Sequence, residues 1–334
     1  MLKFKMLMNM MFLIFNKYML LLFMLMFLIM FLFSMDLYIQ FLLMEFSTLF
    51  LIMFMNLTLK NKFPSVIYFS ISVLSTFLLM LFFFFEMYNE FMFNKLIEWI
   101  LYFKMGMFPF YFWNLYLYNN LNWDHIFMVS VYTKFFMINF FHSIINMDLY
   151  SMYYLIMNSL LISLISYKQN SLKKLIGCST TNQSSLLIML IFFNEFIFFM
   201  YFFMYMIISF FLYKQFYKLN INNKKDLIFL MNYKKMFMIM FFIYVCLPPM
   251  GSFMMKWMLF FNLIHMNYLN LSFLLMIMMM ANIFMIWNYF SMLILSFMDF
   301  KKMKIKKLYY NKFNMIMFMY MLYLMFLMMI MILY

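Results

Sequence analysis

Apolar runs of about 17 residues or more recur along the whole length of this chain, and that one feature leaves few folds open. A run of that length can cross the hydrocarbon core of a bilayer as a helix. In lipid every backbone N–H and C=O must find its partner inside the protein, and a helix supplies those partners within one segment. The expected fold class is therefore an all-α polytopic membrane protein. Eleven spans are expected, near 18–34, 37–56, 64–85, 96–116, 124–145, 149–167, 173–194, 196–216, 236–260, 268–297 and 313–333. Residues 1–17 carry Lys3, Lys5 and Lys17 and are expected at the interface. The first run belongs to the repeating pattern and does not read as a cleaved signal peptide. No polar linker divides the spans, so residues 1–334 read as a single transmembrane domain.

The net charge of +14 is carried by lysine alone. A basic chain could suit nucleic acid, but these lysines sit in short loops between spans, so the expected contact is the bilayer. The N-terminus and the loops after even-numbered spans hold Lys60, Lys62, Lys168, Lys173, Lys174, Lys214, Lys218, Lys224, Lys225, Lys234, Lys235 and the cluster from Lys301 to Lys312. The loops after odd-numbered spans hold Asp36, Glu86, Glu90, Asp148 and Glu195, with Lys95 the exception. Positive charge collects on the cytoplasm-equivalent side, which places the N-terminus there and Tyr334 on the opposite side. The 52 Met and 54 Phe, with no Arg and only 3 Gly, fit an A+T-rich genome whose code reads ATA as Met, as in many animal mitochondria.

Once the loop charges are set aside, four ionisable groups remain deep in spans: Glu45, Lys104, Lys134 and Lys256. Such groups are costly in lipid and mark ion or proton pathways more often than not. Two of them sit beside helix breaks. Lys104 is followed by Gly106 and Pro109; Lys256 is preceded by Pro248, Pro249 and Gly251. Proline removes a helix hydrogen bond, and a broken helix at membrane depth is tolerated only against protein or a water-filled cavity. Two broken spans in matching positions point to inverted repeats of five spans, 18–145 and 149–297, with 313–333 as a last helix. The chemistry expected of these charges is proton transfer. Burial destabilises an ammonium, a nearby carboxylate stabilises it, and moving the carboxylate switches a lysine between holding and releasing its proton. For Lys134 the plainer alternative is a static bond to a polar backbone group.

Other groups carry less. Glu98 lies near a span end and is expected to reach the interface. His125, His142 and His265 read as packing or solvated residues. Cys178 and Cys246 are expected to be inert and cannot frame a disulfide scaffold or a Cys-rich metal site. The glycines, Gly106, Gly177 and Gly251, are too far apart for a dinucleotide fingerprint or a phosphate loop, so no nucleotide is expected on this chain by either motif.

The ordered motifs carry a resemblance. They are Lys104-Met-Gly-Met-Phe-Pro-Phe-Tyr-Phe-Trp, then Leu121-Asn122-Trp123 with Thr133-Lys134, then Asn170-Ser171-Leu172-Lys173-Lys174-Leu175 with Ser179, Thr180, Thr181 and Asn182, and last Leu247-Pro248-Pro249-Met250-Gly251-Ser252-Phe253-Met254-Met255-Lys256-Trp257. In this order the chain resembles the antiporter-like membrane-arm subunits of mitochondrial NADH:ubiquinone oxidoreductase, respiratory complex I, and among them the subunit 2 family. The resemblance implies an antiporter-like fold in the mitochondrial inner membrane, with Glu45 and Lys104 as the family's Glu–Lys pair. It implies Lys134 as the connecting lysine and Lys256 as the terminal lysine. It implies that NADH, FMN, the iron–sulfur clusters and ubiquinone belong to the wider complex, with no cofactor in this chain. The implied partners are the other membrane-arm subunits and the bilayer, cardiolipin included. Tyr111 and Gln183 stand where the family often has His, and a longer N-terminus displaces Glu45 relative to the later motifs. Two other readings share these residues: a stand-alone cation/proton antiporter, and an inert membrane scaffold.

Overall fold

Helix is the only extended secondary structure among the described residues, as an apolar chain with few glycines and prolines requires. The computed structural model of the chain describes residues 2–85, 90–146, 148–223, 241, 243–245 and 269–298. Five helices in it are long and apolar enough to cross a membrane: Leu37–Thr58, Phe63–Leu81, Leu149–Tyr167, Leu172–Phe193 and Glu195–Leu219. The protein is thus a helical, integral membrane protein. The expected span at 313–333 and most of that at 236–260 lie outside the described residues, as do Lys256, Pro248, Pro249, Gly251, Cys246 and His265.

The helices fall into two compact units, Met1–Asp148 and Leu149–Tyr334. In the first, α1 is one helix, Leu2–Phe33. Neither Gly nor Pro interrupts it, so the N-terminal segment and the first expected span form one continuous helix. α2 is Leu37–Thr58 and α3 is Phe63–Phe85. Asn61 starts α3 by accepting the Phe63 N–H at 3.1 Å, and Pro64 costs nothing in a first turn whose N–H groups lack helical partners. The expected span at 96–116 is two helices, α4 (Glu90–Met105) and α5 (Tyr111–Asn120). The expected span at 124–145 is α6 (Trp123–Phe127), a π-helical turn (Met128–Tyr132) and α7 (Thr133–Ile144) without a gap between them.

α7 holds this unit together. Its side chains are buried without interruption from Thr133 to Ile138, Lys134 among them, and again at Phe140 and Phe141. Aromatic rings fix its neighbours. Phe31 of α1 meets Phe136 edge-on with centroids 4.9 Å apart, Phe41 of α2 meets Phe140 at 5.9 Å, and Tyr102 of α4 stacks on Phe141 at 5.5 Å. Such pairs add about 0.5–1.5 kcal/mol each beyond their buried area. Between α1 and α2, Phe27 packs against Phe50 at 5.1 Å.

In the second unit the buried helix is α9 (Leu172–Phe193), flanked by α8 (Leu149–Tyr167) and α10 (Glu195–Leu219), with α11 (Leu269–Met298) packed on α8. Asn194 caps α10 by accepting the N–H groups of Phe196 and Ile197 at 3.0 and 3.3 Å. α9 is unusually polar for a buried helix, with Ser179, Thr180, Thr181, Asn182, Gln183, Ser184 and Ser185 in succession. Its hydroxyls bond back to carbonyls three residues earlier, as Thr181 does to Cys178 at 2.8 Å and Ser184 to Thr181 at 2.7 Å, which makes the helix tolerable in an apolar surround. The amides reach across instead: Asn182 donates to Asn282 of α11 at 3.2 Å. Cys178 is buried on the same helix.

Candidate functional site

The site begins where α4 stops. Gly106 takes φ +69°, a left-handed conformation that a Cβ penalises. Its N–H bonds to the Phe103 carbonyl at 3.1 Å and the next N–H, of Met107, reaches back to Tyr102 at 3.0 Å. This is the Schellman end of a helix, built around a glycine. There is a second reason for glycine here. A Cβ on residue 106 would lie 2.8 Å from the Cβ of Asn114 on α5, so the break is packed directly against the next helix. Trp113 of α5 closes the loop by donating its indole N–H to the Phe103 carbonyl at 3.2 Å. Pro109 then fills the connection, where a missing N–H does no harm.

The last turn of α4 carries Lys104. Its side chain is 2 % exposed, and its ammonium donates to Oε1 of Glu45 on α2, whose side chain is 20 % exposed. A charge so buried needs a counter-charge and hydrogen bonds, and Glu45 supplies both. The neighbouring hydroxyls do not compete for the carboxylate: Ser47 and Thr48 bond to the carbonyls of Met44 and Glu45 on their own helix.

Lys134 is buried on α7, which packs against both α2 and α4. It sits in the first turn after the π-helical stretch. A π turn inserts one residue into the helical repeat and rotates the residues beyond it, a feature found often at functional sites. The turn is anchored on either side: Tyr132 donates to the Met24 carbonyl of α1 at 2.9 Å, and Thr133 to Val129 at 2.8 Å. No proline or glycine announces this turn in the sequence, so sequence reasoning misses it.

Glu98 is buried and paired, its side chain 2 % exposed. Lys95, one turn earlier on α4, bonds to its Oε2 at 3.1 Å, and the Tyr102 hydroxyl, one turn later, donates to Oε1 at 2.6 Å. Lys95 also bonds Asp148 at 3.0 Å. Pairing explains both anomalies, the buried glutamate and the lysine in an otherwise acidic set of loops. Lys95, just ahead of the expected span, is held above the ordinary lysine value: burial works against its charge, and Asp148 and Glu98 outweigh that.

The remaining candidates are packing groups. His125 is buried between α2 and α6, its Nε2 bonded to the Thr58 hydroxyl and its ring 5.3 Å from Phe54. Tyr111 is buried at the start of α5, stacked 6.3 Å from Phe108. Asn114, against the break, is buried with neither side-chain polar atom bonded, and Gln183 of α9 is buried with its Oε1 unbonded. Among the described residues no three His, Cys, Asp or Glu side chains gather as metal ligands do.

No family model matches the chain. The NADH-ubiquinone oxidoreductase chain 2 of Apis mellifera ligustica is 33% identical over 267 residues, covering 78% of this chain and 79% of the relative. Among solved structures, a chain of respiratory complex I from Thermus thermophilus with bound aureothin superposes with a TM-score of 0.71 at 13% identity, covering 85% of this chain and 77% of that one. A chain of the Mrp complex from Dietzia sp. gives 0.61 at 12% identity, covering 77% and 56%. A chain of the archaeal membrane-bound sulfane sulfur reductase gives 0.54 at 14% identity, covering 87% and 68%. At these identities the structures show a shared fold.

Proposed function

Because this chain belongs to the NADH-ubiquinone oxidoreductase chain 2 family, we propose that it is a core membrane-arm subunit of respiratory complex I and carries protons while the assembled enzyme passes electrons from NADH to ubiquinone. The observation that carries this reading is the Glu45–Lys104 pair at the end of a broken helix, with Lys134 buried on the helix packed against both. The carboxylate keeps the ammonium charged. A small displacement of Glu45 leaves that ammonium buried without a counter-charge, and losing its proton becomes the cheaper state. The proton passes through water held at the break, where Gly106 and Pro109 free backbone groups from the helix, to Lys134. When Glu45 returns, Lys104 is charged again. In this scheme Lys256 is the terminal proton carrier. The redox chemistry belongs to other subunits, and NADH, FMN, iron–sulfur clusters and ubiquinone bind there.

The proposed setting is the mitochondrial inner membrane, with eleven spans in two inverted repeats of five and one last helix. The loop lysines support the N-terminus on the matrix side and Tyr334 on the intermembrane side. The other membrane-arm subunits and lipid are the expected partners. The likeness to the Mrp complex favours a second reading, a stand-alone cation/proton antiporter on the same fold. Purification through a tag on this chain separates the two. The proposal expects a large assembly that oxidises NADH with ubiquinone as acceptor. Recovery of the chain alone, exchanging cations for protons in liposomes without NADH, would contradict it.

A further inference from the structure

α3 turns a narrow polar edge inward. Ser65, Tyr68, Ser72 and Ser75 recur at helical spacing and are buried, while Val66, Phe69, Val73 and Phe77 on the other side are exposed. The helix packs against α2 and α4, which carry Glu45 and Lys104. The serines of the edge are satisfied, each bonded to the carbonyl three residues earlier at 2.6, 2.8 and 2.8 Å. Tyr68 is not. It is 3 % exposed, and its hydroxyl makes no hydrogen bond among the described residues. The hydroxyl lies close enough to Thr133 of α7 and to the Glu45 carboxylate for both to act on it, without being aligned in a bond to either. A buried hydroxyl without a partner is costly and rare in folded proteins.

The other hydroxyls around the pair have committed their protons. Ser47 and Thr48 donate to the Met44 and Glu45 carbonyls at 2.7 and 2.8 Å. Thr133 donates to Val129 at 2.8 Å, and Tyr132, which lies near Tyr68, donates to Met24 at 2.9 Å. Among these groups only the Tyr68 hydroxyl is still able to donate to a carboxylate. Glu45 meets Lys104 through Oε1, and a carboxylate accepts at both of its oxygens. The proton-carrying scheme requires Glu45 to move off the ammonium. A carboxylate that moves within a buried site needs a donor at its second position as much as at its first.

We propose that Tyr68 is a positioning residue for Glu45: its hydroxyl receives the carboxylate when Glu45 leaves Lys104, which gives the pair two stable arrangements. The inference rests on the proton-carrying role proposed above. In one arrangement Glu45 holds the ammonium and the Tyr68 hydroxyl stands beside Thr133, as in this structure. In the other, Tyr68 donates to Glu45, Lys104 is without a counter-charge, and its proton leaves. Tyrosine keeps its own proton throughout. Because Thr133 belongs to α7, the move also carries the negative charge toward the helix that holds Lys134. Without a second donor the carboxylate would return to the ammonium before the proton had left. Two discrete bonded states are what a ligand- or charge-driven change can select between.

The test is Tyr68→Phe in the assembled complex in proteoliposomes, with melting temperature, NADH oxidation and proton pumping measured together. The substitution removes only the hydroxyl. Because that hydroxyl makes no bond in the present arrangement, the melting temperature should be unchanged or slightly higher. NADH oxidation and pumping should fall together by about tenfold or more, the weight of one hydrogen bond to a charged group. Infrared difference spectra during turnover should contain a tyrosine hydroxyl band in the unaltered complex that Tyr68→Phe lacks. Unaltered rates, or an unaltered band, would overturn the proposal, since a ring that only fills space loses nothing on becoming phenylalanine. A variant that melts lower or fails to assemble would overturn it too, by showing that the hydroxyl is bonded at rest. Failure of the wider reading looks different: the unaltered complex itself would then show no NADH-driven proton movement.

Discussion

Lys104→Met leaves Glu45 charged and without its partner. Lys104 is 2 % exposed and Glu45 20 %, so the lysine is fully buried and the glutamate largely so. Breaking a buried pair by removing one member costs about 3–5 kcal/mol. The partial exposure of Glu45 sets the cost at the low end, about 3 kcal/mol. At about 1.4 kcal/mol per tenfold, local opening of α2 and α4 should become on the order of 100-fold more frequent. Replacing both members by apolar residues of similar volume is often close to neutral. Glu45→Leu with Lys104→Met should therefore recover about 2 kcal/mol or more of the single mutant's loss, a coupling within the range for residues in direct contact. Amide hydrogen exchange on the assembled complex reads this helix by helix, independently of activity. If the double variant exchanges as fast as Lys104→Met alone, the two charges are not energetically paired and the argument for Glu45 as the partner that switches Lys104 fails.

Two further outcomes rest on the same geometry. Gly106→Ala should destabilise by about 2 kcal/mol or more, from left-handed backbone strain of about 1–2 kcal/mol and the 2.8 Å approach to Asn114; a melting curve of the complex equal to that of the unaltered protein would contradict the packed break. Lys95 has its proton affinity raised in the folded state, so its pairing is fully present below the ordinary lysine value near 10.5 and is lost as pH rises through the raised value. The stability difference between the unaltered chain and Lys95→Met should then stay constant through the neutral range and shrink only in the alkaline one, and a difference that vanishes near neutrality would refute the pairing.

What can be read from the chain alone depends on distance along it. The break after Lys104 is written in Gly106 and Pro109, because both act on their own backbone. That Glu45 and Lys104 meet is a consequence of scarcity: two charges in an apolar surround have few other partners. Glu98 could not be placed in this way. Its burial depends on Tyr102 and on Lys95, and Lys95 in turn shares Asp148, a contact between residues far apart in sequence. The π turn before Lys134 is equally hidden, since it arises from how α6 and α7 are held by α1 and α2 and not from a helix-breaking residue. α9 reads as a helix of mixed polarity, and only its back-bonded hydroxyls and its amide partner on α11 explain why it can lie buried over almost its whole length. The continuity of α1 agrees with the lack of Gly or Pro between residues 2 and 33, but the lysines of its first turns suggest a boundary that the backbone does not make.

The central claim is that Lys104 carries a proton and does not merely pair with Glu45. Lys104→Arg tests it most directly. Arginine keeps the positive charge and can hold the carboxylate, so the complex should assemble, but its guanidinium hardly ever releases a proton. Proton pumping and NADH oxidation should be measured together in proteoliposomes of the assembled variant. The account predicts that both fall well below the unaltered rate. An arginine variant that assembles and pumps at the unaltered rate would contradict it, and Lys104 would then be a static member of an ion pair.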